Sequence, residues 1–217
     1  MTILAARTES AGAAGIILRA AGRYDLLLWL FTLGRETAFR EKMLRFAALQ
    51  PGESVLDIGC GTGTLALTAK RQVGPEGAVV GVDASPEMLA RAEKKARRLG
   101  LEVSFKNGLA QSLPFPAAQF DVVVSTVMLH HVPKSSRREM AGEVRRVLKP
   151  GGRVLVIDFG RAAHNKKSIF DHIHGRHGRV DLKEVVDVLS SAGLRISESG
   201  DVGMRGLHFV VATVPCT

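Results

Sequence analysis

Cysteine is scarce in this chain. The two that occur, Cys60 and Cys216, stand inside a glycine-rich turn and next to the end of the chain. A disulfide would obstruct that turn, so both read as reduced thiols of a cytoplasmic protein. Long apolar runs are missing too. The strongest, Leu26 to Leu33, falls well short of the roughly 20 residues that span a bilayer. Arg7, Glu9 and Arg19 interrupt any apolar stretch of the signal-peptide kind. Internal repeats and low-complexity segments are likewise absent. What remains is the composition of a globular protein, 46% hydrophobic and 24% charged over 217 residues, enough for one domain with a real core. The expectation is a soluble protein.

The net charge is +9, with a pI near 10.1. That permits attraction to nucleic acid or to an anionic membrane surface. A solvated basic surface without a partner explains it equally well, because the charges are spread over several predicted helices.

Before Pro51 the pattern is helical. Residues 12–33 end in Leu26-Leu27-Leu28-Trp29-Leu30-Phe31, apolar on all sides, and Gly34 breaks the run. A second helix is predicted from Glu36 to Leu49. From Glu53 onward, strands and helices alternate. Predicted strands are Ser54–Ile58, Ala78–Val82, Glu102–Phe105, Asp121–Ser125, Arg153–Asp158, Leu194–Ser199 and Leu207–Val214. Predicted helices are Thr64–Gln72, Pro86–Leu99, Ser136–Leu148 and Leu182–Ala192. Ser85 caps the second of these, Pro86 opens it and Gly100 follows its end, with Met88, Ala92, Ala96 and Leu99 as the buried stripe. Continuous apolar strands such as Val122-Val123-Val124 indicate a parallel sheet covered on both faces.

The run Val55-Leu56-Asp57-Ile58-Gly59-Cys60-Gly61-Thr62-Gly63 carries the most information. A strand ends at an acid, turns through alternating glycines and enters a helix N-terminus, which lets bare backbone approach a ligand. A dinucleotide fingerprint needs G-x-G-x-x-G; here the third glycine comes one residue early. Asp83, about 20 residues beyond the turn at the end of the second strand, can accept both hydroxyl protons of a ribose, or simply cap the next helix.

The set Asp57-x-Gly59-x-Gly61-x-Gly63, Asp83, Leu113-Pro114-Phe115, Phe120-Asp121 and Leu148-Lys149-Pro150-Gly151-Gly152 resembles the class I S-adenosylmethionine (SAM)-dependent methyltransferases. Within them it is most similar to the ubiquinone/menaquinone-type and small-molecule or phospholipid methyltransferases. The resemblance implies an α/β fold, a Rossmann-like doubly wound sheet of about seven strands, mostly parallel with the last antiparallel. It also implies an N-terminal helical cap over residues 1–50, ahead of a SAM-binding domain over 51–217. The expected cofactor is SAM, with S-adenosylhomocysteine as its product. Its expected contacts are Asp57, Gly59, Cys60, Gly61, Thr62 and Gly63, then Asp83, Ala84 and Met88, then Leu109, Ala110 and Gln111, and Thr126. Where the family usually has an acid near the adenine amino group this chain has Leu109, so backbone around Ala110 and the Gln111 side chain take its place. Tyr24, in a helix ahead of the domain, is a candidate lid residue, or else an aromatic at a core edge.

His130 and His131 follow the fourth strand, in an element that borders the transferable methyl group in that family. Either is a candidate general base, and a polar cap of the strand is the alternative. His164, Asp171, His172, His174 and His177 form a second cluster, but Gly175 and Gly178 make it loop-like, and no metal is expected. The acceptor implied is small, with the Leu26–Phe31 run and Arg19, Arg23, Arg35, Arg40 and Lys42 able to form a lipophilic pocket or a peripheral contact with an anionic membrane. The fourth strand runs on into Ser125-Thr126-Val127-Met128, not the Asn/Asp-Pro-Pro-Tyr/Phe motif of base-modifying DNA enzymes. No cysteine nucleophile follows it, which disfavours cytosine C5 chemistry. An RNA methyltransferase, a SAM-binding protein without turnover and a nicotinamide-dependent oxidoreductase are the alternatives, the last disfavoured by the glycine spacing.

Overall fold

The computed structural model describes residues 36–160, 180–203 and 206–215. Tyr24, the Leu26–Phe31 run, the His164–His177 cluster and Cys216 lie outside them.

Strand β1 (Ser54–Ile58) is buried at every position after its first residue. It pairs in parallel with β2 (Ala78–Asp83) on one side and β4 (Phe120–Thr126) on the other. Strand β3 (Ser104–Asn107) flanks β2, and β5 (Leu148–Phe159) flanks β4, both parallel. The last two strands, β6 (Arg195–Asp201) and β7 (Leu207–Thr213), complete a seven-stranded sheet of order β3-β2-β1-β4-β5-β7-β6. Of these only β7 runs antiparallel to its neighbours. The expected fold is therefore observed. Chain order reverses between β1 and β4, and a ligand crevice opens outside the carboxyl ends of strands at such a switch point.

Helices α1 (Glu36–Leu44), α2 (Thr64–Val73), α3 (Pro86–Leu99), α4 (Arg137–Val147) and α5 (Leu182–Ser191) supply the covering layers. One core cluster joins Leu56, Val123 and Val154 to Met140, Val144, Val185 and Leu189 of α4 and α5. The other joins Val55, Val124 and Leu155 to Leu65, Ala66 and Ala69 of α2 and to Met43 and Leu44 of α1. The apolar strands are buried on both faces, as parallel sheets require.

Several boundaries differ from expectation. The helix expected to reach Leu49 ends at Leu44 and tightens into a 3-10 turn over Arg45–Ala47, with Ala48 left-handed. Its terminal carbonyls are claimed from the sheet, where Arg153 donates to Ala47 O at 2.6 Å and Ala48 O at 2.8 Å. Leu99, expected inward, is 43% exposed. It is the last residue of α3, where the chain leaves through left-handed Gly100, so the buried stripe ends at Ala96. Strand β3 begins at Ser104 rather than Glu102, because as an edge strand it is defined only by its register with β2, from Val80↔Ser104 to Asp83↔Asn107. Strand β5 begins at Leu148, and Lys149–Gly152 bulge out where its register against β4 jumps from Phe120↔Leu148 to Val122↔Arg153.

Candidate active site

Glycine geometry sets up the floor of the cleft. Gly59, Gly61 and Gly63 all adopt positive φ (71°, 54° and 79°), which other residues reach only with strain. A Cβ on Gly59 would lie 2.2 Å from Met128 Cγ, and one on Gly63 would lie 2.7 Å from Ala92 Cβ. The turn therefore presses against the β4 loop on one side and against α3 on the other. Lys95 of α3 locks it by donating to Thr62 Oγ1 at 2.7 Å and Thr64 Oγ1 at 3.3 Å.

Asp83 ties the second wall to the turn. Its Oδ2 accepts from Gly61 N at 2.8 Å and its Oδ1 from Ser85 N at 2.9 Å, while Ser85 Oγ caps α3 by accepting from Met88 N. A third wall is the segment Gly108–Gln111. Glu143 of α4 accepts from Leu113 N at 2.7 Å, and Arg146 donates to Leu113 O and Phe115 O. The Arg146 hydrogen bond holds the Glu143 carboxyl below its usual range. The Leu113-Pro114-Phe115 motif is thus an anchor for this wall. Phe120-Asp121 is structural in the same way, with Asp121 accepting from Ser54 N and Lys149 Nζ.

Together these walls enclose an open cleft of about 850 Å³, solvent included. It is lined by Gly59, Gly61, Asp83, Ala84, Met88, Leu109, Ala110, Gln111, Thr126 and His131, all expected from the sequence, and by Met128 and Pro133. Cys60, Thr62 and Asp57 line a smaller adjoining cavity with Gly59 and Thr126. Gly63 lines neither and acts through the turn. His130 is set behind the cleft, its ring 3.9 Å from that of His131.

Asp57 is the electrostatic centre of the smaller cavity. Only 1% exposed, it has an Oδ2 with no hydrogen-bond partner in the protein. Burial pushes its pKa up to about 7, with Arg40 opposing and Asp83 adding to the rise. Burial likewise raises the Cys60 thiol, with Asp57 and Asp83 adding to it, which leaves that thiol unreactive.

Two contributors had no mark in the sequence, and a third, Arg40, is found in another place than expected. Expected with its basic neighbours at a lipophilic pocket or membrane surface, Arg40 of α1 is instead buried against the smaller cavity and donates to Thr126 Oγ1 at 3.4 Å, because α1 docks on the sheet with that side chain inward. A helical stretch 86 positions from Thr126 does not reveal that docking. Asp158, at the end of β5, accepts from His130 Nδ1 at 2.7 Å. Val127, which follows β4 directly, has φ 54°, an outlier for a β-branched residue. Only coordinates reveal such strain.

A doubly wound sheet with a glycine turn and an acid at the switch point defines a nucleoside-binding α/β protein. Known proteins carry this further. The family model for a methyltransferase domain matches residues 55–152. The chain is 34% identical over 164 residues to the ubiquinone/menaquinone biosynthesis C-methyltransferase UbiE of Ralstonia pickettii, an alignment covering 75% of this chain and 67% of that protein. Against the demethylmenaquinone methyltransferase of Thermus thermophilus, identity is 40% over 139 residues, covering 64% and 62%. A crystal structure of a SAM-dependent methyltransferase from Aquifex aeolicus superposes with a TM-score of 0.70 at 26% identity, covering 81% of this chain and 89% of that one. The chain belongs to the class I SAM-dependent methyltransferases of the ubiquinone/menaquinone type, and SAM is the cofactor. It spans about three-fifths of the length of several curated relatives it matches.

Proposed function

We propose that this protein transfers the methyl group of SAM to a ring carbon of a small lipophilic quinol. The observation that carries the cofactor half is Asp57 Oδ2, a buried carboxylate oxygen left without a partner in the crook of the glycine turn. A buried unpaired acceptor is costly, and the ammonium of SAM satisfies it. Arg40, in the same cavity, suits the neighbouring carboxylate. This placement supports a capping role for residues 36–50 of the N-terminal segment. The glycines admit the amino-acid end, and Asp83 accepts from the ribose hydroxyls, each of its oxygens having a second lone pair. Leu109, Ala110 and Gln111 border the adenine, where Leu109 contributes apolar contact in place of an acid.

When bound, SAM supplies a methyl on a positive sulfur, which keeps the carbon–sulfur electron pair as the methyl departs. The protein holds the acceptor carbon in line behind that methyl, and placement of this kind can lower a barrier by about 7–11 kcal/mol. A quinol oxygen must also lose its proton so that the ring carbon becomes nucleophilic. His131 lines the cleft and takes that proton. The ring carbon's pair forms the new carbon–carbon bond, the ring carbon's hydrogen leaves as a proton, and His131 reprotonates the oxygen. The names of the relatives, demethylmenaquinone methyltransferase and ubiquinone/menaquinone C-methyltransferase, support this acceptor class.

The test is transfer of labelled methyl from SAM to a panel of a reduced demethylmenaquinone analogue, aminophospholipid vesicles, small amines and RNA. Label on the quinol ring carbon is the expected result. Label on RNA or amines alone would overturn the acceptor, and no stabilisation by SAM in a thermal shift would overturn the whole reading. No helix among the described residues is long and apolar enough to cross a membrane. A quinol would be met at a bilayer surface, with the basic N-terminal stretch other than the buried Arg40 as the peripheral contact.

A further inference from the structure

We propose that Asp158 is the positioning residue of the methyl-transfer site, acting through His130 to hold His131 toward the acceptor. This deepens the quinol reading above and rests on it. The Asp158 carboxylate is buried, and it accepts three hydrogen bonds: from His130 Nδ1 at 2.7 Å, His130 N at 3.1 Å and Phe159 N at 2.7 Å. Along β5, Val154 and Val156 precede it on the same face and belong to the apolar core. An apolar residue would continue that packing at no desolvation cost. The acid is instead bonded to the loop that borders the cleft.

An acceptor-only carboxylate at Nδ1 places the His130 proton on that nitrogen, a tautomer assigned from the hydrogen bond. The ring cannot then rotate without breaking the pair. The His131 ring lies against it, with centroids 3.9 Å apart and planes at 45°, and it is His131 that lines the cleft. Phe159 meets the His130 ring edge-on, with centroids 6.1 Å apart. Carboxylate, inner ring and outer ring thus form a row from the core to the cleft. The fixed negative charge at its inner end favours the imidazolium that His131 becomes when the quinol oxygen gives up its proton. No other atom moves in that step: the oxygen–hydrogen bond breaks, the proton goes to the ring nitrogen, and the electron pair stays with the quinol. His208, opposite Asp158 in the β5–β7 register, and Asp201, opposite His208 in the β6–β7 register, are titratable side chains on that face.

Two variants and two readouts test this. In Asp158→Asn and His131→Gln, methyl transfer to the reduced demethylmenaquinone analogue should lose at least tenfold in kcat, with the SAM Kd by calorimetry within twofold of wild type. The double variant should be no slower than the slower single one, because both act through one ring. A wild-type kcat in Asp158→Asn, or losses that multiply in the double variant, would overturn the proposal. The second readout needs no acceptor. In ¹⁵N NMR of the histidine rings, Asp158→Asn should change the His130 tautomer and move the His131 ring signals, and unmoved His131 signals would overturn it. Wild-type protein that labels no quinol refutes the acceptor reading instead, and the NMR result still decides the role of Asp158.

Discussion

Asp83 Oδ2 accepts the Gly61 N–H at 2.8 Å, so one carboxylate both shapes the glycine turn and faces the cleft. Removing it attacks the site twice, through the lost ribose acceptor and the loosened turn. Asp83→Ala should weaken SAM by about 1.5–3 kcal/mol, the range for a hydrogen bond to a charged group. That is about 10- to 150-fold in Kd by titration calorimetry. Unchanged affinity would mean that the ribose is held elsewhere.

The glycine turn gives a steric prediction. Gly59→Ala places a methyl 2.2 Å from Met128 Cγ at a φ of 71°. The Met128 side chain sits on the wall of the cleft, so relief of the clash narrows the cleft. The variant should lose about 1–3 kcal/mol of stability, as overpacking does, in urea unfolding of the SAM-free protein. SAM binding should fall at least tenfold.

Asp57 titrates near neutrality, and its pH signature has a definite sign. Its folded pKa of about 7 exceeds the ordinary 3.8 because burial disfavours the anion. In SAM-free protein it therefore contributes stability below about pH 4, a contribution lost progressively as pH rises to 7. Ligand binding runs the opposite way, since an ammonium requires the carboxylate. SAM affinity should rise about tenfold per pH unit up to 7 and level there, then decline once an α-amino group loses its proton near pH 7.7–8.0. Calorimetry from pH 5.5 to 8.5 checks this, with Asp57→Asn as the flat, weak-binding control.

The sheet was legible because its strands are continuous apolar runs, a pattern that survives without knowledge of partners. The glycine turn and Asp83 were legible because adjacency along the chain is adjacency in space there. Leu113-Pro114-Phe115 stood out as a motif, yet its role as an anchor gripped by Glu143 and Arg146 depends on a helix some thirty residues on. Asp158 was invisible for the same reason, and Arg40 was read as a surface charge. Each is an ordinary residue of its own element, and only the strand order β1-β4-β5 and the docking of α1 bring them to the site. His130 and His131 look equivalent in sequence, and the turn after β4 separates them into an inner and a cleft-side ring.

Arg40 gives the last prediction. Its guanidinium lowers the Asp57 pKa against the rise that burial imposes, and it lines the same cavity. Arg40→Met keeps much of the aliphatic stem but removes the charged guanidinium, whose Nη1 reaches Met43 Sδ and Thr126 Oγ1. Asp57 should then titrate above 7, so the rising limb of the SAM affinity curve moves to higher pH and crowds against the loss of the ligand ammonium proton. The optimum should narrow, and affinity at pH 7.5 should fall at least tenfold, through both the protonated Asp57 and the unpaired ligand carboxylate. Arg40→Lys should restore the position of the rising limb, since it returns a positive charge, but only part of the affinity, since an ammonium cannot bind a carboxylate in the bidentate way a guanidinium does. A Met variant with a wild-type pH profile would separate Arg40 from Asp57 and leave it a packing residue of α1.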